Sequence, residues 1–161
     1  MIMKNRQNQR PFAALPSLLA WVVYLTLSAC GGPASAPEEE IREWVRVGVE
    51  AAEAKERRQL VGMISPAYAD ARGNQRDGIE NILRWYFLRM NSVQLVTSIE
   101  DITVIGDTAA EVVVKVAMAG THDGVLGFSA DAYRFALELE RGSDDWQLIS
   151  ARWGELGKEM K

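Results

Sequence analysis

A few side chains in this sequence are of types that could do chemistry. Asp70, Asp101, Tyr68, Tyr86 and His122 can give or take protons, and Cys30 is the only thiol among 161 residues. Each of the proton carriers also has a plainer role open to it. Asp70 stands two residues after Tyr68 and just ahead of Gly73-Asn74, where an aspartate caps a turn or pairs with Arg72 or Arg76. Tyr86 belongs to an apolar helical stripe, where a tyrosine is core with its hydroxyl at an edge. His122 titrates near neutrality without help, but it sits beside Asp123 in a glycine-rich stretch, a solvated setting. One histidine and one cysteine leave no ligand spacing for zinc, and no acidic loop of the calcium-binding kind is present. Phosphate-binding glycine loops, serine nucleophile elbows and paired-acid glycosidase sites are missing as well. Neither a metal nor a cofactor is expected, and catalysis is not the first expectation.

The chemistry at Cys30 is easier to read. Lys4, Arg6 and Arg10 precede an apolar run from Phe12 to Leu27, the order of a secretory signal. The run is shorter than the roughly 20 residues a membrane-spanning helix needs, and Pro16 interrupts it. Leu27-Ser28-Ala29-Cys30 then resembles the lipobox of bacterial lipoproteins, whose cysteine is acylated and becomes the mature N-terminus. That resemblance implies a signal over residues 1–29, a lipid anchor on Cys30 and no thiol left for disulfide, metal or nucleophilic chemistry. Two or more acyl chains hold a protein on a bilayer almost permanently. In such lipoproteins an aspartate after the cysteine retains the protein at the inner membrane; Gly31 stands there instead, which implies the outer membrane, facing the periplasm.

Behind the anchor, residues 30–37 are short, small and proline-bearing, the composition of a flexible tether. The rest, 38–157, is the length of one ordinary domain. Lys4, Arg6 and Arg10 account for three of the 18 basic residues; the other 15 against 22 acidic residues give a net charge of −7. An acidic domain is a poor partner for polyanions, so nucleic acid is excluded.

Pro37 and Glu38-Glu39-Glu40 start a helix, with Ile41, Val45, Gly48 and Ala52 on one face and an end near Val61. Ser65-Pro66 predicts a second, short helix stopping at Gly73-Asn74. A third begins near Asp77, its stripe formed by Ile79, Ile82, Leu83, Tyr86, Phe87 and Met90. Trp85 and Leu88 fall outside that stripe, at a subunit contact or a cavity rim. From Val93 the apolar period drops to two. A phase change at Glu100-Asp101 predicts a bulge, and Gly106-Asp107 predicts a two-residue hairpin turn. Further strands follow through Val112–Met118, Tyr133–Leu139 and Trp146–Trp153, the last apolar on both faces and therefore central or covered from outside. Ala119 to Asp131 predicts a long loop carrying His122, of a length that is usually functional or mobile.

Helices followed by a bent antiparallel sheet, together with Tyr68–Gly73, Ile102–Ala109 and Asp145–Trp153, resemble the nuclear transport factor 2-like (SnoaL-like, cystatin-like) domains, and in particular small lipoproteins of proteobacteria with no assigned activity. The resemblance implies an α+β cone, three helices held in the concave face of a curved antiparallel sheet of four or more strands, with a cavity at one end. Tyr68, Trp85, Tyr86, Met118, Tyr133 and Phe135 are the residues expected to line it. It also implies pairing through the outer sheet face, which would cover the second apolar side of the last strand. The expected function is a tethered domain that binds a small hydrophobic ligand or an envelope protein. The rival is an isomerase or hydratase similar to ketosteroid isomerase, which needs a carboxylate base and acidic donors in an apolar pocket; Asp70, Tyr86 and His122 are its candidates. Fold alone does not choose between them.

Overall fold

The computed structural model describes residues 36–123, 128–143 and 145–160. The signal, Cys30 and the tether up to residue 35 lie outside the described residues, as do 124–127. Residues 35–161 form one compact unit, and among the described residues no helix is long and apolar enough to cross a membrane.

The elements are α1 (Pro37–Glu53), α2 (Arg57–Gly62), α3 (Arg76–Arg89), β1 (Ser92–Ile105), β2 (Ala109–Thr121), β3 (Phe128–Arg141) and β4 (Trp146–Glu155). The strands form one antiparallel meander in the order β1-β2-β3-β4. The fold is α+β, with the helices against the concave side of the sheet. α1 crosses that side from end to end. Near its start Glu40 accepts from Trp146 Nε1 at 3.1 Å and pairs with Arg141. Its last residue, Glu53, accepts the Leu95 amide of β1 at 2.7 Å. Between them Ile41 and Val45 pack into a core with Ala110, Val112, Leu139 and Trp146.

The first helix does not run on to Val61. It stops at Glu53, Lys55 takes a left-handed φ of 57°, and the chain restarts as the six-residue α2. That break lets Lys55 Nζ donate to the carbonyls of Met90 at 3.0 Å and Asn91 at 3.3 Å. It thereby caps the end of α3, where unpaired carbonyls attract a cation. The helix expected after Ser65-Pro66 is a pair of turns instead: Ser65 Oγ accepts from Ala67 N at 3.2 Å and Tyr68 N donates to Ser65 O at 3.1 Å. Here the serine's local bonding competes successfully with a helix start.

β1 carries its bulge between Ile99 and Asp101, where the alternation changes phase. The β1–β2 connection has three residues, Gly106-Asp107-Thr108, not two, because Ile105 pairs with Ala109; Gly106 supplies the positive φ of 60°. The long loop is also shorter than expected. Pairing of Ala119, Gly120 and Thr121 with Ala130, Ser129 and Phe128 extends both strands into it.

β4 departs furthest from expectation. A second register shift opposes Glu138 to Ser150 but Leu139 to Leu148, leaving Ile149 as the extra residue. Across that bulge the phase flips, so Trp146, Leu148, Ala151 and Trp153 all join the concave cores. The strand is neither apolar on both faces nor central. It is the sheet edge, covered by Met63–Ser65: Leu148 N donates to Met63 O and Ser65 N to Leu148 O, both at 2.9 Å. The outer face instead carries charge, with Glu100 bonded to Lys115 at 2.6 Å and to Arg134 at 2.5 Å. The second apolar side predicted for the last strand is therefore not formed among its described residues.

Candidate functional site

Packing between the helices and the sheet is complete at only one end. Toward the other, α3 stands off the strands, and none of its residues is buried. Between them lies a hollow of about 460 Å³. Trp44, Gly48 and Ala52 come from α1; Ile79, Leu83, Tyr86 and Phe87 from α3; Leu95, Val116, Met118, Phe135 and Trp153 from the sheet. Among the described residues, no charged side chain is one of its walls. Ile82 lines it and is 52% exposed, so the hollow reaches solvent along α3.

Tyr68, Tyr86, Met118 and Phe135 face this hollow. Tyr133 lines a second cavity that adjoins it. Trp85 lines neither and is 66% exposed; at its place on α3 it projects away from the sheet, so it is not a cavity residue. Trp44 and Trp153 do face the hollow, whereas Trp146 is core. The Trp44 indole N–H is buried and, among the described residues, has no acceptor.

Of the proton carriers, the structure joins Tyr68 to Asp70 and places Tyr68 and Tyr86 on the hollow, while Asp101 and His122 lie elsewhere. Asp70 is buried, and its carboxylate accepts from the amides of Arg72 at 2.9 Å and Asn74 at 2.8 Å, from Asn74 Nδ2 at 2.8 Å and from the Tyr68 hydroxyl at 3.3 Å. Burial on its own would raise the Asp70 pKa, but the Asn74 bonds, the Arg72 amide and Tyr68 outweigh it and hold the group below its ordinary value. A carboxylate held ionised by four donors is a weak base and a firm turn lock. Burial, then the Asp70 charge, pushes the Tyr68 hydroxyl well above the usual phenol range. Asp101 is exposed and accepts from Thr103 Oγ1 at 2.8 Å in the β1 bulge. His122 closes β2 and lines none of the cavities described here. Among the described residues no group of three or more metal-binding side chains exists.

Tyr86 is different. Among the described residues its hydroxyl has only the thioether of Met118 as hydrogen-bond partner, at 3.6 Å, and burial, then the charge of Asp131 and Tyr133, raises its pKa. Asp131 was missed in the sequence because it fell in the expected loop. Continuing the alternation of Tyr133, Phe135 and Leu137 back by two residues would have placed it on the concave face.

Helices in the concave side of a bulged four-stranded meander, with a hollow at one end, decide the architecture. The chain has the nuclear transport factor 2-like fold. Among solved structures it is similar to a candidate scytalone dehydratase from Novosphingobium aromaticivorans (TM-score 0.65, 10% identity, 76% of this chain and 89% of that one). A candidate dehydratase of the NTF2-like family from Streptomyces avermitilis matches at a TM-score of 0.64 and 12% identity, over 74% of this chain and 97% of its own. A ketosteroid isomerase-like protein from Erwinia carotovora atroseptica matches at 0.61 and 11%, over 74% and 96%. No family model and no curated protein sequence matches the chain. At these identities the nuclear transport factor 2-like likeness is one of fold, and function rests on the hollow.

Proposed function

We propose that this is a membrane-tethered protein whose nuclear transport factor 2-like domain binds a small hydrophobic molecule in the hollow without converting it. The observation that carries the reading is the hollow itself: about 460 Å³ with no charged wall among the described residues, beside a carboxylate already committed to four donors. Apolar concavities of this size are ligand sites by default, and among the described residues no carboxylate lines the hollow itself, as a general base in contact with the ligand would. The tether in this proposal is acylated Cys30, holding the domain at the outer membrane on its periplasmic side. Binding is tested by titrating a neutral hydrophobic fluorophore, with saturable uptake expected and loss of uptake in Val116→Phe. Acylation is tested separately by the mass of the N-terminal peptide, which should exceed that of free cysteine by the acyl and glyceride groups and return to the unmodified value in Cys30→Ala.

The second reading, an isomerase or hydratase, is favoured by one observation, the Tyr86 hydroxyl held in an apolar hollow with only the Met118 sulfur as hydrogen-bond partner among the described residues and with the Asp131 charge nearby. It is separated from the first by proton exchange. A β,γ-unsaturated ketone bound in deuterated water should keep its α-protons if the domain only binds. Exchange that disappears in Tyr86→Phe would replace binding with catalysis.

A further inference from the structure

The second cavity, about 500 Å³, shares the walls Tyr86, Met118, Phe135 and Trp153 with the hollow and so lies directly against it. Its other walls are polar. Gly154 makes them possible: a Cβ there would meet Glu159 O at 2.6 Å, and only glycine lets the C-terminal residues fold across β4 and bring Lys158 and Glu159 to the cavity. Two cations also line it, one of them in an ion pair. Arg72 donates to Trp153 O at 3.0 Å and lies 4.2 Å over the Trp153 ring, and Lys158 pairs with Glu155. Asp131 and Glu159 have no ion-pair partner among the described residues, and the lining sets Arg72 and Lys158 against Asp131, Glu155 and Glu159, which leaves the vestibule one net negative charge. Two phenol rings, Tyr86 and Tyr133, stand beside Asp131, and aromatic faces add to the attraction for a cation.

We infer that the hollow and the vestibule hold the two ends of one amphiphile, its apolar body against Val116 and Phe87 and an ammonium end in the vestibule against Asp131. The inference rests on the binding reading above and adds the class of ligand. A fatty acid of the same length would bring its carboxylate to Asp131 and Glu159 and be rejected by like charge; an alkyl alcohol would bind through its chain alone.

The test compares decylammonium, 1-decanol and decanoate as competitors of the neutral fluorophore, on the chain from residue 35, which is a compact unit with its own core. Decylammonium should bind tighter than decanoate by roughly fivefold or more, with decanol between them. Asp131→Asn should bring the ammonium and the alcohol level while leaving decanol binding unchanged, and unchanged decanol binding also shows that the variant is folded. Equal binding of all three, preference for decanoate, or an ammonium preference that survives Asp131→Asn overturns the inference while the hydrophobic site stands. If none of the three binds, the binding reading itself falls and takes this one with it.

Discussion

Val112 and Val116 occupy the same face of the same strand, two alternations apart, and meet different fates. Val112 is 0% exposed, locked between Ile41, Leu139 and Trp146, whereas Val116 is half-buried and forms a wall of the hollow. Both ends of the sheet present an apolar concave face. What differs is the cover: α1 seals one end directly, and over the other α3 is held at a distance by Lys55 at its C-terminal end and by the Arg57–Glu80 ion pair to α2. A hollow therefore needs no unusual strand. It needs a helix that is fixed elsewhere.

The largest expected effect lies at the sealed end. Leu139→Ala should lower unfolding free energy by about 3 kcal/mol in denaturant titration, because its site is walled on every side and cannot collapse. On the same strand pairing, Val112→Ala should cost about 2 kcal/mol and Val116→Ala less than about 1 kcal/mol. Equal costs would erase the contrast between the two ends.

Asp70→Ala should cost about 2 kcal/mol by stranding the donors that converge on it, with circular dichroism melts as the readout. The effect depends on pH. The Asp70 carboxyl titrates below its ordinary value when folded, so its contribution is complete above the unfolded value of about 3.9 and is lost as pH falls through the lower folded value. Acid unfolding should be steep in that window for the natural chain and shallower for Asp70→Asn.

Overfilling sharpens the comparison from the other side. Val116→Phe should change stability by about 1 kcal/mol or less while abolishing fluorophore uptake, whereas Val112→Phe should destabilise by about 2 kcal/mol, since a packed core has no room to give. The smallest effect is expected at the helix cap. Lys55→Met removes two bonds to the α3 carbonyls and should cost about 0.5 kcal/mol, read most sensitively as faster amide exchange near Met90.

Several of these features were legible in the chain before any coordinates. The change of apolar period at Val93, the phase change at Glu100-Asp101 and the apolar stripe of α3 carried the α+β order and the first bulge. So did the inward series of β2 and β3. Other features were not. Ile149 as a bulge cannot be read from Trp146–Trp153, because an extra residue shows only against the partner strand, and without it the strand looks apolar on both sides. The break at Lys55 was hidden for a similar reason: the residues around it are adequate helix formers, and the cost of a left-handed lysine is met by its bonds to Met90 and Asn91, distant in sequence.

Alternation is a local property, set between neighbours a few residues apart, and the sequence determined by itself where the helices give way to strands and which face of α3, β2 and β3 is apolar. Tertiary structure decided how far α3 stands from the sheet, that β4 is an edge, that Asp70 is a lock, and that Asp131 looks into a space shared with Tyr86. Those outcomes depend on distances between segments far apart in the chain, and a hollow, being a place where side chains do not meet, leaves no mark on the pattern of any one of them.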